Sequence, residues 1–191
     1  MNEPIIIRPA EIEDASAILA IYDRYVRRTA ITFEYETPTE DVFCARMENT
    51  MKKYPYLVAQ RGEEILGYAY AGVFYGRAAY DWCAEVTVYL APAAQRLGLG
   101  RRIYAELEQE LSRMGVLNLY ACIAVPHEED DEYLTKNSMQ FHAHMGYALC
   151  GRFSLCGYKF GRWYDMVWMQ KIIGDHGENQ PPVTPYPNTE K

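Results

Sequence analysis

Val86-Thr87-Val88-Tyr89-Leu90, then Ala91-Pro92-Ala93-Ala94, then Gln95-Arg96-Leu97-Gly98-Leu99-Gly100-Arg101-Arg102 is the stretch on which the reading of this chain turns. Glu85 to Leu90 alternates β-branched residues and reads as a strand that Pro92 ends. Gly98 to Met114 carries Leu99, Ile103, Leu107, Leu111 and Met114 on one stripe and reads as an amphipathic helix. At such a strand-to-helix junction the first amides of the helix have no helical partner, and the helix dipole adds partial positive charge. Gly98 and Gly100 let an anion come close to the main chain. Arg96, Arg101 and Arg102 form a basic collar around the turn. The spacing is neither the dinucleotide fingerprint nor a phosphate loop with its Lys-Ser/Thr, and read alone it also fits a plain helix start with two glycines.

Outward from this turn, Ile5-Ile6-Ile7 before Arg8-Pro9 reads as a short buried strand, and Glu13 to Arg27 as a helix with Ile18, Ile21, Tyr22 and Tyr25 at helical spacing. Thr37 is placed to cap a second helix, with Pro38 at its first position and Glu40 three residues on, running to about Lys53. Tyr56 to Gln60 and Ile65 to Tyr75 form a hairpin through Arg61-Gly62-Glu63-Glu64. Leu119 to Val125 reads as a buried strand, Ser138 to Met145 as a short helix, and Tyr147 to Phe153 and Asp165 to Lys171 as closing strands. The order predicts an α/β protein with a mixed sheet and helices on both faces. His127 to Glu132, with five consecutive acidic residues, reads as a solvated loop. From Gly174 onward the chain is polar and holds four of its ten prolines, which predicts a disordered or loosely draped tail at 174–191 after a domain at 1–173.

With 191 residues, 49% hydrophobic and 24% charged, the chain suits one domain with one core. Its 19 basic against 26 acidic residues give a net charge of −7, the opposite of a protein that binds nucleic acid through phosphate neutralisation. No apolar run reaches the length of about 20 residues that a membrane span needs. Met1-Asn2-Glu3-Pro4 does not open like a secretory signal. The five cysteines are scattered without a CxxC pair, which argues against a disulfide framework or a metal site and for a reducing cytoplasm.

The QxxGxG turn after a strand resembles the acetyl-coenzyme A motif of the GNAT acyltransferase superfamily. The chain more narrowly resembles its phosphinothricin acetyltransferase-like amino-acid N-acetyltransferases over roughly residues 5–171. The resemblance is carried by Ile7-Arg8-Pro9-Ala10, Thr29 through Phe33-Glu34, Tyr54 through Ala59, Gly67 through Ala71 and Arg77 through Trp82. It continues through Glu85 to Tyr89, Gln95 to Gly100, Phe141-His142 before Gly146-Tyr147, Gly157-Tyr158-Lys159 and Gly161 through Asp165. It implies a GNAT fold, a twisted and mostly antiparallel sheet splayed between the fourth and fifth strands. It also implies acetyl-CoA as acyl donor, a small-molecule amine acceptor of the phosphinothricin or methionine sulfoximine/sulfone type, and direct attack in a ternary complex. Val88, Tyr89, Leu90, Gln95, Arg96, Leu97, Gly98, Leu99, Gly100 and Arg101 would bind the coenzyme, and Asn137 its pantetheine arm. Glu85 would be the base, buried by Tyr80 and Trp82, and His142 the acid, a proton relay or a substrate-positioning group. Phe33, Arg77 and Tyr80 would face the acceptor, with Lys159 and Trp163 closing the pocket, from the same chain or across a homodimer. The chain departs from the family's pattern at His127 to Lys136, an acidic insert that favours a zwitterionic or cationic acceptor over a doubly anionic one. Another amine, such as a polyamine or a protein N-terminus, and a non-catalytic acyl-CoA-binding role remain the rival readings.

Overall fold

The computed structural model describes residues 3–95 and 97–187; the expectations placed on Met1, Asn2, Arg96 and the last four tail residues lie outside them. The chain divides into two compact units. One is built from the segment ending at Ile21, Pro38–Leu119 and the segment beginning at Ile172; the other is built from Tyr22–Thr37 and Tyr120–Lys171.

The first unit holds four antiparallel strands in the order β1 (Ile6–Pro9), β2 (Tyr56–Arg61), β3 (Glu64–Val73), β4 (Cys83–Leu90). Strand β1 is not the buried strand expected: it is an edge, Ile6 is 51% exposed, and Pro9 is tolerated as its last residue. Arg8 instead clamps the following turn through two bonds of 2.7 Å to Asp14. Helix α1 (Ala15–Arg28) buries Ile18, Ile21, Tyr22 and Val26. Helix α2 (Glu40–Met51) starts two residues later than predicted. Thr39 is its cap and accepts from Val42 N, whereas the Thr37 hydroxyl donates to Asp23 at 2.5 Å.

Helix α3 (Leu99–Met114) packs on β2, β3 and β4 and buries the predicted stripe, with Tyr104 and Gly100 added to it. It ends at Gly115, whose φ of 89° closes it in the left-handed cap that glycine favours. At the other end of the sheet face, Gly67 of β3 lies so close to β4 that a Cβ would stand 2.5 Å from the Leu90 side chain and 2.9 Å from the Tyr89 carbonyl. The tail is no loose drape up to residue 187. Ile173 N donates to Leu117 O, Trp82 Nε1 to Pro181 O, Thr184 N to Met114 O and Tyr186 N to Lys53 O, all between 2.8 and 2.9 Å.

The second unit carries β5 (Asn118–Pro126, from Tyr120 on), β6 (Ala148–Lys159) and β7 (Arg162–Ile172), in the order β5-β7-β6. Helix α4 (Asn137–His144) lies between β5 and β6 in the chain. Strands β6 and β7 run well beyond the predicted ends and form one antiparallel hairpin. It turns at Phe160 and Gly161, both left-handed, with φ 51° and 74°. The β6 register slips between Phe153 and Gly157, where Leu155 takes a φ of 51°. Fully buried Asp165 on β7 holds this bulge, accepting from Leu155 N at 2.7 Å, His127 Nδ1 at 2.9 Å and Arg152 Nε at 2.5 Å. Burial works to raise its pKa, but these donors override it and hold the carboxyl below the ordinary aspartate range.

Asp165→Ala strands the Leu155 amide, and a loss of about 1–3 kcal/mol is expected by denaturant unfolding. The depressed pKa adds stability that is present above the unfolded-state value of about 3.9 and disappears as pH falls through the folded-state value. In acid melts the wild type should therefore lose its advantage over Asp165→Asn below about pH 4.

Candidate active site

The junction of β4 and α3 is built as an open, donor-rich turn. Gly98 caps α3 with a φ of 72° and no side-chain cap. Arg102 N donates to Gly98 O at 3.3 Å, which places the amides of Leu99, Gly100 and Arg101 in the first turn of the helix, where the i−4 ladder has not yet begun. A Cβ on Gly98 would meet nothing within 4 Å, so the space there is open and glycine is required by backbone conformation. These features fit a diphosphate-bearing group: amides, dipole and free approach, with no carboxylate among residues 91–102. Arg101 is exposed, but the Arg102 guanidinium donates to Ile5 O at 3.0 Å, and Arg96 is outside the described residues. Gln95 closes the short turn Pro92–Ala94, its amide donating to Pro92 O at 3.3 Å. Leu97 points outward while Leu99 and Gly100 are buried. Val88, Tyr89 and Leu90 are half-buried opposite Ala69, Tyr68 and Gly67.

On the same strand, Glu85 stands opposite Gly72 of β3. Registers place Glu85, Thr87 and Tyr89 on one sheet face with Tyr70, Tyr68 and Tyr56, whose rings stack in a row. Glu85 is half-buried, and that burial alone pushes its carboxyl up from the usual glutamate value. Fully buried Tyr104 of α3 is held above the ordinary phenol range by burial first, then by the nearby charges of Glu108 and Glu85. The sequence missed Tyr104 as a neighbour of Glu85, because between Ile103 and Leu107 it reads as one more core aromatic. The two aromatics expected around Glu85 are engaged elsewhere: Trp82 with the tail, and Tyr80 with Phe74 and Tyr75 at ring distances of 6.0 and 5.5 Å.

Arg77 and Tyr80 do come together, on the connection between β3 and β4. Both are exposed, and Tyr80 N donates to Arg77 O at 2.9 Å.

The remaining predicted residues belong to the second unit. His142 is 4% exposed, and its Nδ1 lies 2.8 Å from Ser138 O. A carbonyl only accepts, so Nδ1 carries the proton and Nε2 the lone pair. Burial lowers the pKa and the Ser138 bond resists it, leaving a neutral imidazole at neutral pH. The edges of Phe141 and Tyr147 frame the ring. Asn137 is exposed as the first residue of α4. Phe33 packs against the buried cluster of Ala30, Ala124, Leu134 and Tyr164. Lys159 is 2% exposed with its Nζ on Thr32 O at 2.7 Å, and Trp163 is 56% exposed beside Tyr158. In the acidic insert, His127 to Asp130 are exposed as expected. Asp131 is not idle: it accepts from Tyr133 N and Leu134 N at 2.8 Å and from Tyr164 Oη and Arg162 at 3.0 Å. All five cysteines are free, and no helix among the described residues is long and apolar enough to cross a membrane.

Known proteins share this build. The family model of the acetyltransferase (GNAT) domain matches residues 7–168. A phosphinothricin N-acetyltransferase of Streptomyces viridochromogenes is 33% identical over 170 residues, 89% of this chain and 88% of its own. An L-methionine sulfoximine/L-methionine sulfone acetyltransferase of Salmonella typhimurium is 31% identical over 171 residues, 89% of this chain and 95% of its own. The crystal structure of a GNAT superfamily phosphinothricin acetyltransferase from Sinorhizobium meliloti, in complex with AcCoA, superposes with a TM-score of 0.84 at 30% identity, covering 97% of each chain. The chain therefore belongs to the GNAT acetyltransferase family, with its mixed α/β fold, and is an acyltransferase.

Proposed function

We propose that the protein transfers acetyl from acetyl-CoA to the amino group of a small amino acid or analogue, of the phosphinothricin or methionine sulfoximine/sulfone type, by direct attack in a ternary complex. The observation that carries this reading is a carboxylate made more basic by burial, Glu85, on the strand that runs directly into the left-handed Gly98 turn. The names of the relatives supply the acceptor class. Acetyl-CoA is the acyl donor, and its thioester supplies an activated acetyl group.

The main chain of Val88 to Leu90 and the segment Gln95 to Arg101 hold the coenzyme, and Asn137 adds a side-chain amide. Glu85 takes the proton that leaves the acceptor's ammonium, directly or through a water. An ordinary carboxylate is a weak base at neutral pH, so the upward shift by burial favours that role. His142, neutral with its proton on Nδ1, accepts at Nε2, which suits a proton relay to the departing thiolate better than a standing acid. Arg77 pairs with the acceptor's acidic group, Tyr80 adds a hydroxyl, and Phe33 offers an apolar wall.

Thiol release across a panel of amino acids with acetyl-CoA tests the reading; release only with polyamines or peptides would replace the acceptor class. Glu85→Gln should lower kcat by about 10²–10⁴-fold while acetyl-CoA affinity, by calorimetry, stays within about twofold. The acid limb of kcat/KM should lie above the free glutamate value of about 4.3 and vanish in that variant. Gly98→Ala costs about 1–2 kcal/mol of backbone strain at an αL position and should raise the acetyl-CoA KM; Gly98→Asn, which tolerates that conformation, should raise it less.

A further inference from the structure

Three consecutive residues at the end of β6 grip the segment that carries Phe33. Lys159 Nζ donates to Thr32 O at 2.7 Å, and Tyr158 O accepts from Tyr35 Oη at 2.5 Å. A Cβ on Gly157 would stand 2.3 Å from Cε2 and Cζ of the Phe33 ring. From the other side the Tyr164 ring stacks on Phe33 at 6.5 Å, and Ala30 N donates to Tyr133 O at 3.0 Å. The ring is thus held between a bare strand backbone and a second aromatic. A glycine inside a strand marks close approach by something else, and here the visitor is Phe33.

Lys159 is the unusual member. Burying an ammonium is unfavourable, and a methionine would fill the same volume without that penalty. Burial draws its pKa down to about 8, with Glu34 opposing the shift. Besides a place 5.1 Å from the centre of the Phe160 ring, what the amine adds over a methionine is a directed bond to the carbonyl immediately before Phe33.

We infer that Gly157 and Lys159 are positioning residues that fix the Phe33 ring, and through it the choice of acceptor. The inference rests on the proposed reading of Phe33 as an acceptor-side residue. A wall that cannot retreat towards β6 discriminates by side-chain bulk; a pocket resolves one methylene by about 10- to 200-fold. Loosening the grip flattens that discrimination without touching the coenzyme.

The test uses the full chain and the variants Phe33→Ala, Gly157→Ala, Lys159→Met and the double variant Gly157→Ala/Phe33→Leu. Acceptors are alanine, 2-aminobutyrate, norvaline and methionine sulfone. In Gly157→Ala the acceptor KM should rise about tenfold and its order along the series should change, with kcat and acetyl-CoA KM within about twofold. Trimming the ring in the double variant should restore most of the loss, a rescue that general destabilisation does not produce. In Lys159→Met, amide hydrogen exchange over residues 31–36 should quicken about tenfold, a readout independent of turnover. Unchanged exchange there overturns the grip. Acceptor constants that move in Phe33→Ala but not in Gly157→Ala overturn the positioning role and leave Phe33 in place. Constants that do not move in Phe33→Ala remove the acceptor-side reading itself. Should Lys159→Met fail to fold, Gly157→Ala and its rescue decide the matter.

Discussion

Between Leu90 at the end of β4 and Leu99 at the start of α3 the chain must reverse into a helix, and it does so through one residue in a conformation that side chains resist. Gly98, at a φ of 72°, lets α3 begin without a side-chain cap, so its first-turn amides are not claimed by a capping side chain at Gly98. The stripe of Leu99, Ile103, Leu107, Leu111 and Met114 fixes the helix on β2 to β4. Each such side chain contributes about 1.5–3 kcal/mol on burial, counted against a fully extended chain. Glu85 lies on the same strand, thirteen positions upstream of Gly98. One continuous segment thus carries both a carboxylate whose pKa burial raises and the amides proposed to hold an anion, and the core packing that secures one secures the other.

The carboxylates of the molecule divide by what accompanies their burial. Asp14 is held acidic by Arg8, Asp131 by backbone amides with Arg162 and Tyr164, and Asp165 by Leu155 N, His127 and Arg152. Glu85 has burial as the single cause of its shift, and the shift is upward. A carboxylate desolvated without charge compensation is a poor structural element and a good base, which is why perturbed groups of this kind gather where chemistry is done. His142 moves the other way, downward by burial, which leaves its imidazole neutral and able to accept a proton.

Much of this was legible from spacing. The period of α3 and the alternation of β4 survive intact because local pattern and tertiary packing agree there. The sequence is silent where side chains answer to distant partners. Two threonines stand before α2, and which one caps it is settled by Asp23, fourteen positions before Thr37, drawing that hydroxyl away. Strand β6 from Ala148 to Cys156 has no alternation to read, since nearly all of that stretch is exposed and its bulge is held by Asp165 from the opposite strand. The tail looked unstructured because its contacts, such as Trp82 Nε1 to Pro181 O, are made to main-chain carbonyls that composition does not reveal. For Lys159, only the fold shows the Thr32 carbonyl that meets it.

The acidic insert shows how far a charge count can mislead about a site. Five adjacent carboxylates suggest a solvated run, and Glu128 to Asp130 are indeed exposed. Asp131 differs because the two residues that follow its neighbour turn their amides back onto it, an Asx-type turn that makes the carboxylate a structural acceptor. Once fixed, it reaches Tyr164 and Arg162 of β7, so two of the unit's aromatic walls are tied to one aspartate. Tyr133, two residues on, then receives the Ala30 amide from the segment that leads into Phe33. The insert is therefore part of the scaffold behind the proposed acceptor wall, and the charge it offers an incoming amine is that of Glu128, Glu129 and Asp130, with exposed Glu132 offset by Arg162 at 2.9 Å. A small zwitterion meeting that reduced charge loses less by carrying its own carboxylate than the count of five would imply.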